Sequence, residues 1–187
     1  MEVFDNETLI IIGAVVLIVF AIASKQIKKD KEGRIEDDSV DIDVVIEELE
    51  DFKVEINEKL KYGYTEKSIQ KQLLSYLRER FVHVTEEYGI EGQNATKIDF
   101  DIGQGRVGVE IKIALSVYKT ADLHRLSGQI EDYIKYKYDQ DNLLVIIFGE
   151  KKHTADRAMM NRVREKVEDK NAGFLYIEIP SKINENV

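Results

Sequence analysis

Cysteine is absent from this 187-residue chain, which excludes disulfides and thiolate metal sites. Histidine is nearly so. His83, His124 and His153 are scattered without ligand spacing, so any metal would have to rest on oxygen ligands. Proline occurs once, at Pro180, where it closes the last predicted strand. A basic patch is missing too. The formal charge is −9, but residues 1–24 carry three acids and no base, residues 25–60 carry seven bases against thirteen acids, and the remainder holds twenty of each. The C-terminal part is therefore electrically balanced, which argues neither for nor against a nucleic-acid partner.

One long apolar run stands at the start. From Leu9 to Ala23 every residue is apolar or glycine, and with Thr8 and Ser24 the run reaches 17 residues. That length suffices to cross a bilayer core of about 30 Å. Three acids precede it and no convincing small-residue cleavage site follows, so the pattern predicts a membrane anchor rather than a signal peptide. Lys25, Lys28, Lys29 and Lys31 come next. By the positive-inside rule they predict a single-pass protein with its N-terminus outside and its C-terminal domain in the cytoplasm. The predicted division is a transmembrane helix over 1–24, a charged tether with a short amphipathic helix over 25–60, and a domain over 61–187.

Within the tether, Ile42, Val45, Leu49, Phe52 and Ile56 alternate at spacings of three and four, a narrow apolar seam. Two readings fit it: a helix docked on its own domain, or a short coiled coil that makes a homodimer. Beyond it a helix runs from Thr65 to Arg80, and a strand covers Val82 to Tyr88, with Gly89, Gly92 and Asn94 marking a loop. Lys97–Ile102 and Arg106–Ile113 read as a hairpin turned by Gly103, Gln104 and Gly105. A helix from Ala121 to Tyr138, a wholly apolar strand Leu143–Phe148, a helix from Thr154 to Lys170 and a strand Phe174–Ile179 complete the order αβββαβαβ, a mixed sheet flanked by helices.

Alternation along the hairpin predicts that Ile98, Phe100 and Ile102 face one way and Asp99 and Asp101 the other. On the second arm Gly108, Glu110 and Lys112 lie opposite Val107, Val109, Ile111 and Ile113. A polar strand face is ordinarily a solvated one. If the two polar faces meet in a cleft instead, Asp99 and Glu110 supply the hard oxygen ligands that magnesium prefers. Lys112 then lies beside them to orient water, stabilise phosphate charge or, with a lowered pKa, act as a base.

Asp99, ten intervening residues and then Glu110-Ile111-Lys112 resembles the PD-(D/E)xK signature of the restriction-endonuclease-like nucleases, and the element order over about 65–150 is similar to that superfamily's core. The resemblance implies a restriction-endonuclease-like αβββαβ core with an added C-terminal helix and strand. Glu66, at the start of the first helix, matches an acidic position that many members carry; a partner for the helix dipole is the other account of it. Gln129 and Tyr133 share a helix face and look like the Gln-x-x-x-Tyr element of RecB-type members, the alternative being a satisfied polar pair. No proline precedes the first acid, and either Asp99 or Asp101 can fill the ligand position.

The resemblance implies a nuclease that hydrolyses phosphodiester bonds, in DNA, with Mg2+ or Mn2+ on Asp99 and Glu110 and with Lys112, Glu66, Gln129 and Tyr133 around them; the apolar run over 8–24 adds the membrane anchor. Lys119, Arg125, Lys135 and Lys137 are the scattered cations available to phosphate. The other reading is a catalytically silent binding or scaffold module of nuclease fold at the membrane.

Overall fold

The computed structural model describes residues 28–60, 64–90, 96–155 and 157–180. Helix α1 (Ile42–Lys59) starts where the Asp41 side chain accepts the Val44 N–H at 2.9 Å, satisfying one of the free donors of a first turn. Helix α2 (Glu66–Arg80) starts on a reciprocal capping box, Thr65 with Ser68. Strands β1 (Val84–Gly89), β2 (Lys97–Ile102) and β3 (Val107–Ile113) follow, then helices α3 (Ala114–Val117) and α4 (Thr120–Tyr136). Strand β4 (Leu143–Glu150), helices α5 (Lys151–Ala155) and α6 (Arg157–Glu168) and strand β5 (Gly173–Ile179) end the order.

The five strands form one sheet in chain order. β1, β2 and β3 make an antiparallel meander, and β3, β4 and β5 run parallel, which is why helices rather than turns join the last three. Successive residues of β4 go to opposite faces: Leu144, Ile146 and Phe148 pack under α1 and α2, while Leu143, Val145 and Ile147 pack under α4 and α6. Both faces are covered, so β4 is buried throughout.

The seam of α1 is spent inside the molecule. Val45, Leu49, Phe52 and Ile56 are no more than 2% exposed, in one cluster with Phe148, Ile177 and Ile179. The expected homodimer is therefore corrected: the coiled-coil surface it required is core. Ahead of α1, Ile35 is also buried, its backbone bridged to Phe81.

The expected architecture, a restriction-endonuclease-like core behind a transmembrane helix, is corrected to a mixed α/β domain on a single five-stranded sheet. Among the described residues no helix is long and apolar enough to cross a membrane. The helices that are described have one apolar face in the core and one polar face in water. The run 8–24 lies outside the described residues, as do Lys25 and the loop markers Gly92 and Asn94. Of the lysines expected to flank a span, Lys28 is ion-paired with Asp38. The single-pass topology, the cytoplasmic placement of the domain and the membrane partner are not carried further.

Two local features shape the region of interest. Three consecutive residues of the hairpin turn take positive φ, Gly103 (66°), Gln104 (53°) and Gly105 (94°), a path that glycine makes accessible on either side of Gln104. Gly108 is required by close approach: a Cβ there would stand 2.6 Å from Ile98 Cδ1 and 2.7 Å from Tyr138 Cε2. Ile98 thus belongs to the cluster under α4, whereas Phe100 and Ile102 belong to the one under α1 and α2. The regular alternation expected along β2 fails between Ile98 and Phe100.

Candidate functional site

The failure is centred on Asp99. β1 pairs with β2 at Glu86 and Phe100 and again at Tyr88 and Ile98, skipping Glu87, which takes φ +46°. Pairing of β2 with β3 stops at Phe100 and Val109. Asp99 is the one position of β2 paired with neither neighbour. The register is the same on both sides of the gap, so no residue is inserted: Glu87 and Asp99 face one another unpaired, and the ladder is interrupted there. The Asp99 carboxylate takes up what the ladder leaves free: Oδ2 accepts the Ile111 N–H at 2.7 Å, and Oδ1 accepts the Gln70 side-chain amide at 3.3 Å.

Beside it, β3 carries Glu110 and Lys112 on the α4 side of the sheet, 2% and 9% exposed, so they do not form the solvated face that alternation alone favours. The Lys112 ammonium is ion-paired with Glu110 Oε1 and donates to the Ile111 carbonyl at 3.0 Å. The Tyr133 hydroxyl, from α4, lies 2.9 Å from Glu110 Oε2 and 2.7 Å from the Lys97 carbonyl, and its single proton serves one of them at a time. Asp101 is elsewhere. It accepts from the Tyr138 hydroxyl at 2.6 Å and pairs with Lys137 at 3.4 Å, so Asp99, not Asp101, stands with Glu110.

The electrostatics follow from one ammonium among several carboxylates. Burial raises the Asp99 pKa, and Glu110 beside it raises it further; Lys112 and the Ile111 N–H oppose them, leaving it at about 7. Burial pulls Lys112 down, but Glu110 and Asp99 outweigh it and hold the ammonium above its ordinary value. Burial also pushes the Tyr133 hydroxyl far up, with Glu110 adding to it, so it stays protonated. Glu66, in the first turn of α2, helps to raise both Asp99 and Lys112.

Of the six residues picked out in the sequence, Asp99, Glu110, Lys112 and Tyr133 come together. Glu66 acts on them through its charge. Gln129 stands one turn before Tyr133 with its Oε1 buried and without a partner among the described residues, and it does not join the network. Sequence reasoning missed Gln70, although its place four residues after Glu66 on α2 was a usable signal. It also missed a further buried carboxylate, Glu150, held by the Tyr64 hydroxyl and Lys152, each at 2.9 Å. Nothing in the spacing of those residues announces a contact made across 86 positions.

Several functional expectations are corrected here. Among the described residues no group of three or more His, Asp or Glu is placed to hold a metal ion. Asp99 and Glu110 instead direct their oxygens to the Ile111 N–H, Gln70, Lys112 and Tyr133. Mg2+ or Mn2+ at this pair, and with it metal-dependent hydrolysis of DNA, is set aside. Lys112, kept protonated, is not a base. The nucleic-acid partner is set aside with the metal, because its phosphates and the carboxylates gathered here carry charge of the same sign. Three of the scattered cations are also engaged: Arg125 pairs with Asp122 at 3.6 Å, Lys135 lies 4.9 Å from the centroid of the Tyr136 ring, and Lys137 lies 3.5 Å from that of Tyr88 as well as beside Asp101. No family model, curated protein or solved structure matches the chain.

Proposed function

We propose that the domain is a metal-independent binding module and that the notch around Asp99 receives a cationic side chain from a polypeptide partner. The observation that carries this reading is the charge count in a buried space. Three carboxylates, Asp99, Glu110 and Glu66, act on the single ammonium of Lys112, and Asp99 rises to about 7, first through burial and then through Glu110 and Glu66. A site short of one positive charge is completed by a guanidinium or ammonium, which takes the place of the proton on Asp99. Buried charged groups held together by a strained strand are where binding function is expected, since neither feature serves stability.

The resemblance to the PD-(D/E)xK superfamily enters this reading only as a plan of residues. Asp99, Glu110, Lys112 and Tyr133 keep that plan's spacing, with a closed hydrogen-bonded network where the resemblance implied metal chemistry. Calorimetric titration of the full chain with a glycine-flanked arginine peptide, beside its citrulline counterpart, tests the proposal. Arginine is expected to bind at least about tenfold tighter, less so at high salt, and to pull the Asp99 titration seen by NMR below 7. Equal affinity for the two peptides, or an Asp99 titration that ligand leaves unmoved, would remove the charge-completion argument.

A further inference from the structure

A groove of about 390 Å³ runs between α2 and β1, lined by Lys67, Gln70, Lys71 and Leu74 on one side and by Glu86 and Glu87 on the other. Its volume is within the range of ligand-sized clefts. We propose that this groove seats the partner polypeptide, as an extended segment in which basic and acidic side chains alternate on one face. The proposal rests on the reading of the Asp99 notch as a cation site and adds the chemistry of the chain that carries the cation.

Opposite charge on opposite walls selects the occupant. A ligand of one sign is attracted by one wall and repelled by the other, whereas a segment bearing both signs satisfies both. In an extended chain, residues two apart share a face about 7 Å from each other, so a lysine and a glutamate at that spacing address the two walls together. Leu74, 9% exposed, gives the groove an apolar patch for the stems of such side chains. Glu87 also reaches Lys97 at 3.3 Å, but both are well exposed, and an ion pair of that kind is worth little in water and exchanges readily.

Groove and notch are continuous through one side chain. Gln70 lines the groove and donates to Asp99. The gap in the β1–β2 ladder sets Asp99 opposite Glu87, itself part of the groove wall. A segment lying in the groove therefore passes Gln70, and one of its basic side chains takes the place of that amide at the Asp99 carboxylate.

The test uses the full chain and two labelled ten-residue peptides in fluorescence polarisation. One repeats lysine, threonine, glutamate, threonine; the other has glutamine in place of each glutamate. The mixed-charge peptide is expected to bind about tenfold tighter. A Lys67→Ala/Lys71→Ala variant, altered only at exposed positions, is expected to lose that advantage and to bind the all-basic peptide more tightly than the wild type does. Asp99→Asn is expected to weaken both. If the double variant keeps the full preference, or the wild type shows none, the groove assignment is overturned, and the cation site stands provided Asp99→Asn still weakens binding. If the double variant removes the preference and Asp99→Asn changes nothing, the groove stands and the notch reading fails. Failure of both peptides to bind overturns both.

Discussion

Asp99 is held against its own stability. Its ordinary pKa is 3.8 and its folded value about 7, so between those limits the folded chain keeps a proton that the unfolded chain has released. Stability from this group is full below about pH 4, is lost as the pH climbs to 7, and stays lost above. A tenfold change in proton affinity is worth about 1.4 kcal/mol, which sets an upper bound of about 4 kcal/mol on the loss. Asparagine keeps an oxygen for the Ile111 N–H and carries no charge. Asp99→Asn is therefore expected to be more stable than the wild type at pH 8 and to lose that advantage towards pH 4, as read from urea midpoints at the two values. A variant that gains nothing at pH 8 would mean that Asp99 is not buried beside Glu110 as described. A gain there would show that the carboxylate is kept at a cost, which a binding role explains.

At the scale of elements, α1 is a structural part of the sheet's covering rather than a linker. Gly173, at the start of β5, leaves room for Ile42: a Cβ there would come within 2.6 Å of Ile42 Cδ1. Leu49→Ala removes a fully buried side chain from the same helix and is expected to cost about 2–5 kcal/mol. Because the seam is internal, the unfolding temperature of the wild type is expected to be the same over a hundredfold range of protein concentration. A melting temperature that rises with concentration would show that stability comes from association instead. The seam was plain in the sequence as spacings of three and four, but its partner was not. The same stripe serves a neighbouring helix, a second chain or a sheet, and only the course of the chain between Leu60 and β5 selects the sheet.

For the whole molecule, the arrangement of charge predicts indifference to metal. Anything that binds the native state alone raises its stability by mass action. With the Asp99 and Glu110 carboxylates directed to donors within the protein, millimolar magnesium or manganese, or their removal with EDTA, is expected to move the unfolding temperature by less than about 1 °C at constant ionic strength. A rise of several degrees with either ion, absent from Asp99→Asn, would return the two carboxylates to a metal.

The sequence by itself determined where the strands lie, because periodicity of two and a wholly apolar run such as Leu143–Phe148 are local consequences of what each side chain must bury. It also placed Glu110 and Lys112 on one strand face and Gln129 and Tyr133 on one helix face, since geometry within a single element is fixed by its repeat. Only the tertiary structure decided what those faces meet. Whether Asp99 or Asp101 joins Glu110 turned on a gap in the pairing with a different strand and on Tyr138 and Lys137 claiming Asp101, and whether the carboxylates were free or engaged turned on Gln70 and Tyr133 arriving from two helices. Hydrogen bonding and burial are properties of neighbours in space, and a pattern along the chain records only neighbours in sequence.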